Sequence, residues 1–165
     1  MQRSVNQAIK LNPGNAAAYF ELSRADGRLA QFVGILQSLN LAADIRRALA
    51  KATELDPRMD KAYVALGLWN AELISNGFIV TQATGADRDQ VVPNFQKAIA
   101  LAPNTIGYRV EYANALLLNR NANRPIAVAQ FQKALSLTPV TYWEKQNQAT
   151  ARKNLDALNS SPEGF

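Results

Sequence analysis

The chain has 165 residues, is 48% hydrophobic and sets 18 basic against 13 acidic residues, for a net charge of +5. That length and apolar content suit one folded unit with its own core and exclude a disordered polymer. Histidine and cysteine are absent, which excludes imidazole bases, thiolate nucleophiles, zinc–thiolate sites and disulfides, and leaves catalysis to Asp, Glu, Lys, Ser, Thr or Tyr. The charges are scattered, so the basic excess reads as solubility before nucleic-acid binding. No apolar run reaches the roughly 18 residues of a membrane span, and no signal peptide is expected in "MQRSVNQAIKLNPG", which lacks an apolar h-region.

The first expected helix, "RSVNQAIKLN", stops before Pro13, and its closing phrase returns as "LAKATELDPR", "FQKAIALAPN" and "FQKALSLTPV". Aligned on Pro13, Pro57, Pro103 and Pro139, the four phrases place Ala8, Ala52, Ala98 and Ala134 five residues earlier. Val5, Leu49, Phe95 and Phe131 stand eight residues before the prolines, and Ile45, Val91 and Ala127 stand twelve before the last three. Offsets of three, four and seven lie on one helical face. Alanine there lets a neighbouring helix approach, and the larger side chain fills the space beside it. Proline cannot continue the helix and pushes its predecessor out of the α region, so each phrase is a helix ending.

After each proline a new helix is expected, with Asn15, Asp60 and Asn104 or Thr105 as N-caps. These helices read "AAAYFELS", "KAYVALGLWNAEL" and "GYRVEYANALLL". Tyr19-Leu22-Ser23 and Tyr63-Leu66-Gly67 place a small residue where the partner helix comes close; in the third, Tyr112-Ala113 follows Arg109.

A Tyr-x-x-Leu-Gly helix followed by an Ala-x-x-x-Phe-x-x-Ala-x-x-x-x-Pro helix resembles the tetratricopeptide repeat family. The resemblance implies an all-α solenoid of antiparallel helix pairs, in which each pair needs its neighbour to bury an apolar face. It divides the chain into a half repeat at 3–13, repeats at about 15–57, 60–103 and 105–139, and a capping helix at 141–158. Together these form a single array over 1–158, followed by a loose tail at 159–165. In the capping helix Trp143, Ala149, Leu155 and Leu158 are expected to cover the last repeat. Because the chain opens inside a second helix, it reads as a part of a longer protein with Met1 as an added start.

The proline spacings are 44, 46 and 36 residues, against about 34 for the family repeat. The first two units therefore carry insertions between their two helices. Leu29, Phe32, Val33 and Leu36 recur at helical spacing, and Leu73, Ile74, Phe78 and Ile79 continue the helix of Trp69. Two extended first helices are expected, packing Leu29, Phe32, Val33 and Leu36 against Ile74 and Phe78 as a projection on one edge. That projection offers either a wall for the groove or a homodimer contact. Asp87 with Gln90 makes a capping box for the next helix.

Members of the resembled family are mostly binding scaffolds with a concave groove lined by first helices. Carried over residue by residue, the groove comprises Phe20, Arg24 and Arg28, then Val64, Leu68 and Glu72, then Val110, Asn114 and Leu117. Two arginines at one end suit carboxylates, because guanidinium can donate two parallel hydrogen bonds; the plainer reading is that they solvate a helix face. The lysine–asparagine clamp that some members use on C-terminal carboxylates is missing, since Phe20, Arg24 and Ala65 stand at its places. Arg46, Arg47 and Lys51 lack interleaved aromatics and read as a solvated face rather than a nucleic-acid site. Trp69 and Trp143, at helical spacing among apolar residues, read as core.

Neither a Gly-x-x-x-x-Gly-Lys loop nor a catalytic carboxylate pair is present, because Asp56, Asp60, Asp87 and Asp89 all fall where helix ends need caps. No catalytic residue, cofactor or metal is assigned, and an enzyme is not expected. The function expected is an interaction scaffold that binds a peptide or protein segment in the groove. The alternative is a structural or dimerisation module of a larger protein. "AYVALGLWNAELI" and "NFQKAIALAPNTIGYRVEYANALLL" are also similar to exported bacterial tetratricopeptide proteins, and more distantly to the regulator-of-microtubule-dynamics family. The former likeness implies a periplasmic or exported location, with the cytoplasm as alternative.

Overall fold

A computed structural model describes residues 2–118 and 123–160, the side chains of residues 2, 35 and 36 excepted. Among the described residues the protein is all-α, with nine α-helices and no strand. They are α1 (Gln2–Leu11), α2 (Ala16–Ala30), α3 (Ile35–Leu55), α4 (Asp60–Ser75), α5 (Phe78–Thr84), α6 (Val91–Leu101), α7 (Ile106–Leu118), α8 (Arg124–Ser136) and α9 (Tyr142–Ser160). A 3₁₀ turn, Arg88–Gln90, leads into α6.

The four proline phrases end α1, α3, α6 and α8 within three residues of each proline. Their register is the expected one. Leu49, Ala52, Phe95, Ala98, Phe131 and Ala134 are each at most 1% exposed, so the large and small residues of the last three phrases point inward, whereas Val5 and Ala8 of the first are half-buried. The small residues of the first helices are also buried at Ser23 and Ala113, and Gly67 admits the Phe95 ring so closely that an added Cβ would lie 2.7 Å from it. Phe95 also stacks on Tyr112, with centroids 5.0 Å apart. These contacts join α4, α6 and α7 in the main core, which continues through Ile106, Ala127, Phe131, Ala151 and Leu158.

A second cluster gathers Phe20, Leu49, Ala52, Met59 and Ala62, joining α2 and α3 to the start of α4. Hydrogen bonds lock the ends. Asn15 caps α2 by accepting from the Ala18 amide at 3.1 Å. Asp60 does not cap α4; it is that helix's first residue, and its carboxylate accepts from the Tyr108 hydroxyl at 3.0 Å. Asp87 accepts from the Asp89 amide and so caps the 3₁₀ turn rather than α6 itself. Gln148 of α9 donates to the Leu137 carbonyl at 2.6 Å, satisfying an acceptor just beyond the end of α8.

The insertions depart from expectation. The first helices are not extended: α2 stops at Ala30 and α4 at Ser75. The first insertion instead lengthens the second helix, α3, to 21 residues. The second forms the short α5 behind Gly77, whose φ of 100° no ordinary helical residue adopts. Helix α4 cannot run through that glycine, and the Glu72 carbonyl at its end is taken by the Asn76 side-chain amide and the Ser75 hydroxyl. Phe32, Phe78 and Ile79 are 85%, 77% and 82% exposed, so the expected apolar projection is not formed; the Leu36 side chain lies outside the described residues.

The two insertions still meet, but through α3 and Trp69. The Trp69 indole is buried and donates to the Ala42 carbonyl of α3 at 3.0 Å. Asn70 beside it is buried, donating to the Leu66 carbonyl and accepting from the Asp87 amide at 2.8 Å. Arg46 of α3 lies over the Trp69 ring and donates to the Gly85 carbonyl at the end of α5.

Helix α9 packs on α7 and α8, but with another face than expected. Trp143 is 74% exposed and Ala149 is also exposed, whereas Ala151 and Leu158 are buried and Leu155 is half-buried. The spacing of Ala151, Leu155 and Leu158 is itself a helical stripe, and Trp143 stands off it, edge-on to Tyr142. The helix continues to Ser160, so the first two residues of the expected tail are helical; the remainder lies outside the described residues.

Candidate functional site

The nine residues expected to line a groove separate into three groups. Phe20, Val64 and Val110 are 7%, 7% and 4% exposed and belong to the core. Each faces a neighbouring helix, and Phe20 closes the α2–α3 cluster with the Lys61 ammonium above its ring. They cannot touch a ligand.

Arg24 and Arg28 are exposed. Arg24 is held by Glu21 one turn earlier, at 2.9 Å, in a pair open to water. Such pairs carry little energy, and this one sits on the helix surface. Neither arginine lines the cavity that Leu68, Glu72, Asn114 and Leu117 share.

Leu68, Glu72, Asn114 and Leu117 do come together. They line a cavity of about 470 Å³ between α4, α7 and α9, with Glu111, Ala115, Leu118, Asn154, Ala157 and Leu158. The helical period explains the set: Leu68 and Glu72 are one turn apart on α4, as are Glu111, Ala115 and Leu118 on α7. Helix α9 supplies the third wall through Asn154 and Leu158. Asn154 donates to the Asn114 side-chain carbonyl at 2.9 Å, tying that wall to α7. The cavity is mainly apolar, with a size in the range of ligand and peptide pockets.

Its polar groups are carboxylates and amides. Glu72 and Glu111 stand at the rim; crowding by the walls raises both carboxyl pKa values, and the charge of Glu72 raises that of Glu111 further. Among the described residues no lysine or arginine lines the cavity. Glu111, Asn154 and Leu158 were missed by sequence reasoning. Glu111 stands between the carried-over positions Val110 and Asn114, and only the docking of α9 brings the other two into place.

The basic residues of α3 are engaged locally. Arg47 pairs with Asp44 and Lys51 with Glu54, while Arg46 serves Trp69 and Gly85. A further cavity of about 580 Å³ opens beside Trp69, between Ala30, Leu39, Leu73 and Val80, and shares Glu72 with the first. No helix among the described residues is long and apolar enough to cross a membrane.

A family model described as regulator of microtubule dynamics protein 1-3 matches residues 2–159, nearly the whole chain. The chain belongs to that family. Of the likenesses read in the sequence, this was the more distant one. The match takes in all nine helices, including both insertions and α9. The α3–α5 region and the capping helix are therefore parts of the regulator of microtubule dynamics unit. No curated protein matches the chain significantly in sequence.

Proposed function

We propose that the helices form a tetratricopeptide-like solenoid and that the chain is an interaction scaffold, without catalysis of its own, which holds a peptide or protein segment between α4, α7 and α9. The successive packing of α2 on α3, α4 on α6 and α7 on α8 supports the solenoid, as do the α4–α7 and α7–α9 contacts between alternate helices. The observation that carries the binding reading is the apolar cavity itself, because four groove positions expected from the repeat pattern converge on it. Its exposed rim offers both apolar area and polar groups to a segment laid across it. A regulator that works by engaging a partner fits the family description.

The test is selection of peptides from a random twelve-residue library on the 165-residue protein. Leu117 is half-buried at the cavity wall, so Leu117→Arg should obstruct the groove while the protein still melts cooperatively. Selected peptides are expected to bind the variant about tenfold more weakly or worse, read by calorimetry. Affinity within about twofold of wild type would reject the groove.

The exposed Phe32, Phe78 and Ile79 favour a second reading, a homodimerisation module. Sedimentation of the 165-residue protein at tens of micromolar checks it. A dimer that Phe78→Ser converts to monomer is the expected result, and a monomeric wild type would reject it.

A further inference from the structure

The two rim glutamates of the groove are unlike the other carboxylates for which a contact is recorded. Glu21, Asp44 and Glu54 face cations one turn away. Glu144 accepts from the Val140 and Thr141 amides, Asp60 from Tyr108 and Asp87 from Asp89. Among the described residues no hydrogen bond or ion pair reaches the Glu72 or Glu111 carboxylate; both line the same cavity, and the charge of Glu72 acts on Glu111. Both residues keep contact with solvent, but a carboxylate beside an apolar wall is less well hydrated, and a second one lining the same cavity adds repulsion. A cation between them would offset both costs.

Among the described residues the lining supplies no such cation, since it holds no lysine or arginine although the chain carries a net charge of +5. Below the carboxylates Leu68, Leu117 and Leu158 line apolar space. The Asn114–Asn154 hydrogen bond uses one carbonyl and one amide hydrogen. It leaves the Asn114 amide and the Asn154 carbonyl to meet an extended backbone.

Resting on the groove reading above, we infer that the occupant is a segment of a partner protein that places a lysine or arginine between Glu72 and Glu111 and flanks it with leucine-like side chains. Charge complementarity excludes an acidic segment, because a third carboxylate there would be repelled by two. Specificity lies in the charge pair, and the contact area is supplied by the leucines.

The peptides selected on the 165-residue protein test this. They should be enriched in Lys or Arg next to Leu, Ile or Phe. Exchanging the basic residue of such a peptide for Gln should weaken binding to the wild-type protein about tenfold or more, and added salt should weaken the parent peptide but not the exchanged one. The paired variant Glu72→Gln with Glu111→Gln should reproduce that loss; the peptide exchange gives the same reading on unaltered protein should the variant fold poorly. Peptides that are acidic or neutral, yet blocked by Leu117→Arg, would overturn this inference and leave the groove reading standing. Peptides indifferent to Leu117→Arg would overturn both.

Discussion

Phe95→Ala should lower the unfolding free energy by about 3–5 kcal/mol, the range for a buried phenylalanine whose surroundings cannot collapse. The ring is fully buried, pressed on Gly67 of α4 and stacked on Tyr112 of α7. Its loss empties the point where three helices meet. Gly67→Ala examines the same contact from the opposite side. Its Cβ would sit 2.7 and 2.8 Å from two ring carbons, and the ring, fully buried and stacked on Tyr112, has little room to withdraw. Overpacking of this kind costs about 1–3 kcal/mol, more than the roughly 1 kcal/mol that alanine gains over glycine in a helix. In the Phe95→Ala background only that gain remains, so the same substitution should become stabilising. Urea unfolding of the four proteins measures the coupling. A loss below about 1 kcal/mol for Phe95→Ala, or an unchanged sign for Gly67→Ala in the two backgrounds, would contradict this packing.

Trp69→Ala should cost a similar amount, about 3–5 kcal/mol, for a different reason. The indole fills the small cluster with Ala42 and Ala86, and its N–H reaches the α3 carbonyl of Ala42. Arg46 lies over the ring and holds Gly85, so removal also loosens the end of α5. Trp143→Phe is the comparison, since Trp143 is 74% exposed. It should change stability by no more than about 0.5 kcal/mol. Thermal melts followed by circular dichroism separate the two, and equal effects would show that the α3–α5 region is not held through Trp69.

The same two tryptophans mark where the sequence was legible. Both stand at helical spacing among apolar residues, and period alone does not distinguish them. Burial is a property of what packs opposite: α3 and the residues after α5 cover Trp69, whereas α9 turns the face of Ala151, Leu155 and Leu158 towards α7 and α8 and leaves Trp143 outside. The groove positions divide for the same reason. Val64 and Leu68 lie one turn apart on α4, yet Val64 is sealed in the core and Leu68 lines open space.

By itself the sequence determined the helix endings, the inward face of the last three proline phrases and the small residues at the close approaches. Those depend on local chemistry, on proline's missing amide and on the 3.6-residue period, which act within a dozen residues of one another. Only the tertiary structure decided where the insertions went and which residues line the groove. The stripe of the first insertion continues as well into α2 as into α3, and the pairing with α4 through Trp69 selects the second. Gly77 is compatible with a helix until its φ of 100° is seen. Glu72 and Glu111, 39 residues apart in sequence, become a charge pair only because α4 and α7 pack side by side.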